Sequence, residues 1–201
     1  MAKANWAKVT PDRGSGDATV QVSSISEHTG RKMRTTTLTW TAANVQDVVR
    51  IVAQAGKPEH VDVDAAAMAD KEGKVVTISG ISNSSKLTFS LGDGDLDSIT
   101  LPASYIANSI STSNGVAISG DPGAIAAYNF SITFTVPLTE SLTVRTRQVI
   151  VEDAAGNRAI CLLKQAASDA FVIIAEGMIE LDHNGSPVSV FVDSNTNWTI
   201  S

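Results

Sequence analysis

Short runs in which apolar and polar residues alternate with period two, each closed by a turn residue, fill most of this 201-residue chain. Successive side chains of a strand face opposite sides, so each run has one face to bury and one to wet. Ala18-Thr-Val20-Gln-Val22-Ser and Thr35-Thr-Thr-Leu38-Thr-Trp40-Thr have this form, and Val48-Val-Arg-Ile51-Val-Ala is more continuously apolar. The rhythm returns in Val75-Val-Thr-Ile78, Lys86-Leu-Thr-Phe89-Ser-Leu91, Tyr128-Asn-Phe130-Ser-Ile132-Thr-Phe134-Thr-Val136, Gln148-Val-Ile-Val151, Ala159-Ile-Cys161-Leu-Leu163, Phe171-Val-Ile-Ile174 and Val188-Ser-Val190-Phe-Val192. Pro, Gly and Asn punctuate the intervals, as in Asp121-Pro-Gly123, Ala155-Gly-Asn157 and Asn184-Gly-Ser-Pro187. The pattern predicts an all-β protein built as sandwiches rather than a parallel sheet. Val61 to Lys71, rich in Ala and Asp, reads as a linker, a loop or a short helix.

Two segments repeat features found elsewhere in the chain. The order turn, strand, basic pair, strand and apolar strand ending in Gln runs through residues 6–55 and again through 115–166, closing at Gln54 and Gln165. Residues 186–201 match 74–91, with Ser194-Asn195 answering Ser82-Asn83. A central module at 60–167 is therefore whole, and a second is split between 1–59 and 168–201. Half a sandwich leaves one sheet face bare, so the split halves need a partner. Either they meet within the chain, with the central module inserted between them, or the C-terminal strands of one copy complete the N-terminal half of the next.

Ser194-Asn-Thr-Asn-Trp198-Thr-Ile-Ser201, continued into Asn5-Trp6-Ala-Lys-Val9-Thr-Pro11-Asp-Arg-Gly14-Ser-Gly16, Val20-Gln-Val22, Arg34 and Gln54-Ala-Gly, resembles a circularly permuted BACON domain. Residues 62–166 resemble the family more loosely, lacking both tryptophans. The resemblance implies two immunoglobulin-like β-sandwich modules. It also implies settings in which the family occurs, namely proteins of gut Bacteroidetes and of their crAss-like phages, and the glycan binding proposed for it.

Chemistry is sparse in the sequence. A net charge of −6 and a pI near 5.0 give no general attraction to nucleic acid or to an anionic membrane. The first residues lack the apolar core of a secretory signal, which points to a protein kept in the cytoplasm or released by lysis. One cysteine, Cys161, allows no internal disulfide and reads as a buried structural thiol. His28, His60 and His183 sit in separate turn or linker contexts and read as exposed. Asp93-Gly-Asp95-Leu-Asp97 opens like a calcium loop, but Ser98 and Ser104 stand where its glycine and glutamate belong. No nucleophile elbow or phosphate loop surrounds the serines. No catalytic residue, metal ligand or cofactor is expected.

Two groups remain as candidate binding residues. Trp6, Trp40 and Trp198 either pack in or at the rim of a core, or stack on sugar rings. Arg31, Lys32 and Arg34 form a basic cluster on a hairpin, echoed by Arg145 and Arg147, which is either a solvated face or a patch for an acidic protein surface. The expected function is non-enzymatic: a phage virion protein, assembled in the host cytoplasm and decorating the capsid as an auxiliary protein. Its expected partners are capsid or other virion proteins and copies of itself. The alternative is a carbohydrate-binding module for mucin glycans.

Overall fold

The computed structural model describes residues 3–175 and 177–201, and almost every ordered element in it is a strand. Near the N-terminus, β1 (Ala7–Thr10) pairs with β2 (Gln21–Ser24), and β3 (Arg34–Ala42) pairs with β4 (Val45–Gln54). Each pair is a separate two-stranded sheet. These four strands, with the loops that join them, form an N-terminal arm.

The middle of the chain supplies nine strands in two sheets. They are β5 (Val61–Val63), β6 (Ala66–Ala69), β7 (Lys74–Ser82), β8 (Leu87–Gly94), β9 (Ser104–Ala107), β10 (Ile110–Ser113), β11 (Tyr128–Val136), β12 (Arg145–Asp153) and β13 (Arg158–Gln165). One sheet has the order β10-β9-β11-β7-β5 and the other β6-β13-β12-β8. Alternation decides which faces meet: Tyr128, Phe130, Ile132, Phe134 and Val136 of β11 all point inward, opposite Val149 and Val151 of β12 and Cys161 and Leu163 of β13. Phe89 packs on Tyr105 at 4.8 Å and edge-on to Phe130 at 5.8 Å between ring centroids. Every residue of the main apolar core lies between Val61 and Leu163, so the central sandwich closes without help from either end of the chain.

Val61 to Lys71 is neither helix nor simple linker, because β5 and β6 both fall inside it. β5 adds to the edge of one sheet beside β7 and β6 runs parallel to β13 in the other, so this segment crosses between the two layers. Its alanines suit that place: Ala69 is buried against the core, where a larger side chain would not fit. Tertiary packing here outweighs the helical preference of alanine.

β14 (Val172–Ile174) and β15 (Val192–Ser194) form the last two-stranded pair, in a C-terminal arm of residues 168–201. Among the described residues no strand pairing joins 3–59 to 168–201. The two arms leave opposite ends of the sandwich. The N-terminal arm bonds to residues beside Ser82 and Tyr128, and the C-terminal arm to residues beside Lys74 and Val136. Because β7 and β11 run antiparallel with Ser82 opposite Tyr128 and Lys74 opposite Val136, these ends lie a full strand apart, about 27 Å.

The internal repeat is present in the strand registers. Arg34 pairs with Gln54 across β3 and β4, and Arg145 pairs with Gln165 across β12 and β13, both partners lying 111 residues further on. Val61 pairs with Ser82 as Val172 pairs with Ser194.

Candidate functional site

The most concentrated polar chemistry in the molecule lies where the N-terminal arm meets the sandwich. Asn83 is fully buried there at the end of β7. Its Oδ1 accepts the His60 N–H at 2.9 Å, and its Nδ2 faces the carbonyls of Thr29, Lys57 and Pro58 at 3.2, 3.2 and 3.1 Å. One side chain thus ties three stretches of backbone that sequence distance keeps apart. Beside it the Ser82 hydroxyl donates to the His60 carbonyl at 2.8 Å and accepts the Ser84 N–H at 2.9 Å.

The same clasp recurs at the other end. Asn195 accepts the Phe171 N–H at 3.0 Å and donates to the carbonyls of Glu140 and Asp169 at 3.1 and 2.8 Å, and the Ser194 hydroxyl donates to the Phe171 carbonyl at 2.8 Å and accepts the Thr196 N–H at 3.1 Å. Phe171, Glu140 and Asp169 lie 111 residues beyond His60, Thr29 and Pro58, and the Lys57 N–H to Gly30 carbonyl bond is matched by Ser168 to Ser141 at the same spacing. A second half-module therefore joins the following first half-module by one rule, used twice.

Charge reinforces the first junction. The Arg31 guanidinium forms a two-pronged pair with Asp121 at 2.9 and 2.8 Å, lies 3.3 Å from Glu59 and donates to the Asn83 carbonyl at 2.6 Å. Planar, charge-assisted contacts of this kind fix orientation as well as distance. Backbones close in around it: a Cβ on Gly56 would stand 1.9 Å from the Arg31 carbonyl oxygen, and one on Gly123 2.0 Å from that of Asn83. Glycine is needed at both places because main chain passes directly over main chain.

The basic cluster is thus divided among different tasks. Arg31 turns inward onto the junction, and Lys32 stays exposed with its ammonium 3.9 Å from Asp121. Arg34 lies 4.7 Å over the Trp6 ring, donates to Gln54 at 2.9 Å and reaches the Ser26 carbonyl at 3.1 Å. Trp6 and Arg34 therefore come together as a cation–π pair that ties β1 to the start of β3. Trp40 lines an open groove of about 730 Å³ between the β1–β2 and β3–β4 pairs, together with Val9, Pro11, Val20 and Leu38. Trp198 lies exposed in the other arm.

The remaining groups have structural partners. His28 is buried rather than exposed, with Nε2 2.6 Å from the Lys32 carbonyl, and His60 is half-buried at the junction. Asp95 accepts the Thr146 N–H at 2.6 Å, a bond that holds its carboxyl below the usual range, and Asp97 pairs with Arg147. The acidic loop thus clasps the start of β12. Cys161 is fully buried, and burial pushes its thiol up to about 11. Among the described residues, no three His, Cys, Asp or Glu side chains converge as metal ligands would, and no helix is long and apolar enough to cross a membrane.

Sequence reasoning paired Ser82-Asn83 with Ser194-Asn195 but assigned them no task. Their signal was recurrence of a polar pair at a strand end, where the backbone needs a buried side chain to satisfy it. The chain matches no model of a known protein family, and no curated protein sequence matches it.

Proposed function

We propose that the protein is a non-enzymatic structural component of a phage virion, an auxiliary or decoration protein that docks on the capsid. The observation that carries the structural part of this reading is the Ser–Asn clasp, used at both junctions with the same backbone partners. Its buried polar groups set the geometry of one β unit against the next. Rigid spacing of units is what a protein needs to meet a lattice of fixed dimensions. The virion setting follows from the likeness of residues 194–201 and 5–16 to the BACON pattern, with its immunoglobulin-like modules, and capsid or other virion proteins are then the partners. The test is quantitative proteomics of purified particles from the source community. The reading expects this chain in fixed ratio to a major capsid protein, and its absence from particles overturns the reading.

A second reading is favoured by one observation, the exposed Trp40 in its groove. An indole face beside Val9 and Leu38 offers a sugar ring a stacking platform. Saturable binding of mucin glycans that Trp40→Ala abolishes supports this reading, and no binding across a glycan panel removes it.

A further inference from the structure

We propose that the two arms are complementary halves of one sandwich, and that the C-terminal arm of one copy of the chain closes onto the N-terminal arm of the next, joining copies head to tail. This stands whether or not the virion reading holds.

The central sandwich is the template. There β12 is flanked on both sides, by β13 and by β8, with Leu87 opposite Asp153, Thr88 opposite Glu152 and Phe89 opposite Val151. In the N-terminal arm β3 and β4 reproduce β12 and β13 in register, but the second edge of β3 has no strand beside it. In the C-terminal arm Trp198-Thr-Ile-Ser201 repeats Leu87-Thr-Phe-Ser90 at the same 111-residue spacing, directly after the repeated clasp, and belongs to no sheet. One arm has an open edge, and the other has the strand that fits such an edge.

Exposure marks both sides of the missing contact. Leu87 and Phe89 are 0% and 3% exposed in the complete unit, whereas Trp198 and Ile200 are 46% and 83% exposed. Val151 is 0% exposed, and Trp40, its counterpart on β3, is 42% exposed. Large apolar side chains sit at core positions of the repeat with nothing over them, beside the groove of about 730 Å³.

Charge selects the partner. Residues 1–59 carry eight Lys and Arg against five Asp and Glu, a net of +3, while residues 168–201 carry five Asp and Glu and no Lys or Arg, a net of −5. Opposite arms attract and like arms repel. The same chain cannot bring its own arms together while both clasps hold, because they leave opposite ends of the sandwich. A contact between unlike surfaces at opposite poles is heterologous, so it propagates into a ring or a filament.

Transferring the central register places Trp198 opposite Ala42, Thr199 opposite Thr41 and Ile200 opposite Trp40 of the next copy. Thr41 and Thr199 are both exposed, so cysteines there leave the fold intact, and the native Cys161 is buried away from oxidants. Thr41→Cys and Thr199→Cys chains are purified separately, mixed at low salt and oxidised, with non-reducing electrophoresis and intact mass as readouts. The expected result is a shift to a disulfide-linked heterodimer in the mixture alone, reduced by added salt, and a ladder of higher oligomers from the double variant. Mixtures that stay monomeric overturn the proposal, as does a double variant that closes on itself into an internally bridged monomer.

Discussion

Replacing Asn83 with alanine should damage the central sandwich far more than its place at the end of a strand suggests. The substitution removes the acceptor of the His60 N–H and the donor shared by the carbonyls of Thr29, Lys57 and Pro58. The His60 N–H then loses its partner at the cost of about 1–2 kcal/mol, and the two amide protons divided among three carbonyls contribute about 1 kcal/mol each. The expected loss is about 3 kcal/mol, or roughly 15 °C in midpoint for a unit of this size. Asn83→Asp keeps the acceptor but turns carboxylate oxygen toward three carbonyls, so it should be no milder. Asn195→Ala breaks the equivalent clasp of the C-terminal arm and should move the main transition by less than about 0.5 kcal/mol, because the central core contains no residue of that arm. Equilibrium urea unfolding followed by far-ultraviolet circular dichroism measures all three. A change below about 1 kcal/mol for Asn83→Ala would refute the keystone role, as would equal effects from Asn83 and Asn195.

Three further outcomes follow from the same structure. A double-mutant cycle on Arg31 and Asp121 should give a coupling of about 1–2 kcal/mol, above that of an exposed pair because the guanidinium is largely covered, and additive single effects would dismiss the pair as an orienting contact. Burial raises the Cys161 thiol from its ordinary range near 9 to about 11, so its contribution to stability is complete below pH 9 and declines as pH rises toward 11. Cys161→Ala should lack that part of the alkaline decline, and the native thiol should resist a thiol reagent at pH 8 until urea unfolds the chain. Deleting residues 168–201 should leave the central transition within about 1 kcal/mol of the intact chain by the same urea assay, and its loss would make the C-terminal arm part of the core.

Local sequence exposed much of this architecture because period-two alternation is a direct record of which strand faces are buried. Tyr128 to Val136 reads as a strand and is one, with every second side chain in the core. The Ala-rich stretch from Val61 to Lys71 was illegible because its strands are short and alanine carries little β preference, so what decides them is the packing of β6 against β13, about 100 residues away. The basic cluster was visible but its division was not, since the acids that claim Arg31, Glu59 and Asp121, are distant in sequence. His28 looked like a turn residue because the turn beside it is plain in the sequence, while the fold of the chain over its ring is not. Tryptophan placement was open for a physical reason: Trp40 and Trp198 occupy core positions of the repeat, yet in a single copy both are exposed.

Amide hydrogen exchange across a range of protein concentrations tests the central claim, a complete sandwich flanked by two open half-modules, most directly. The account predicts strong protection in β7, β8, β11, β12 and β13 at every concentration. It predicts fast exchange at the free edge of β3 and in residues 197–201 when the chain is dilute, with protection appearing in both together as concentration rises. Arms as well protected as the centre in a dilute, monodisperse monomer would contradict it, since both half-modules would then be closed within a single chain.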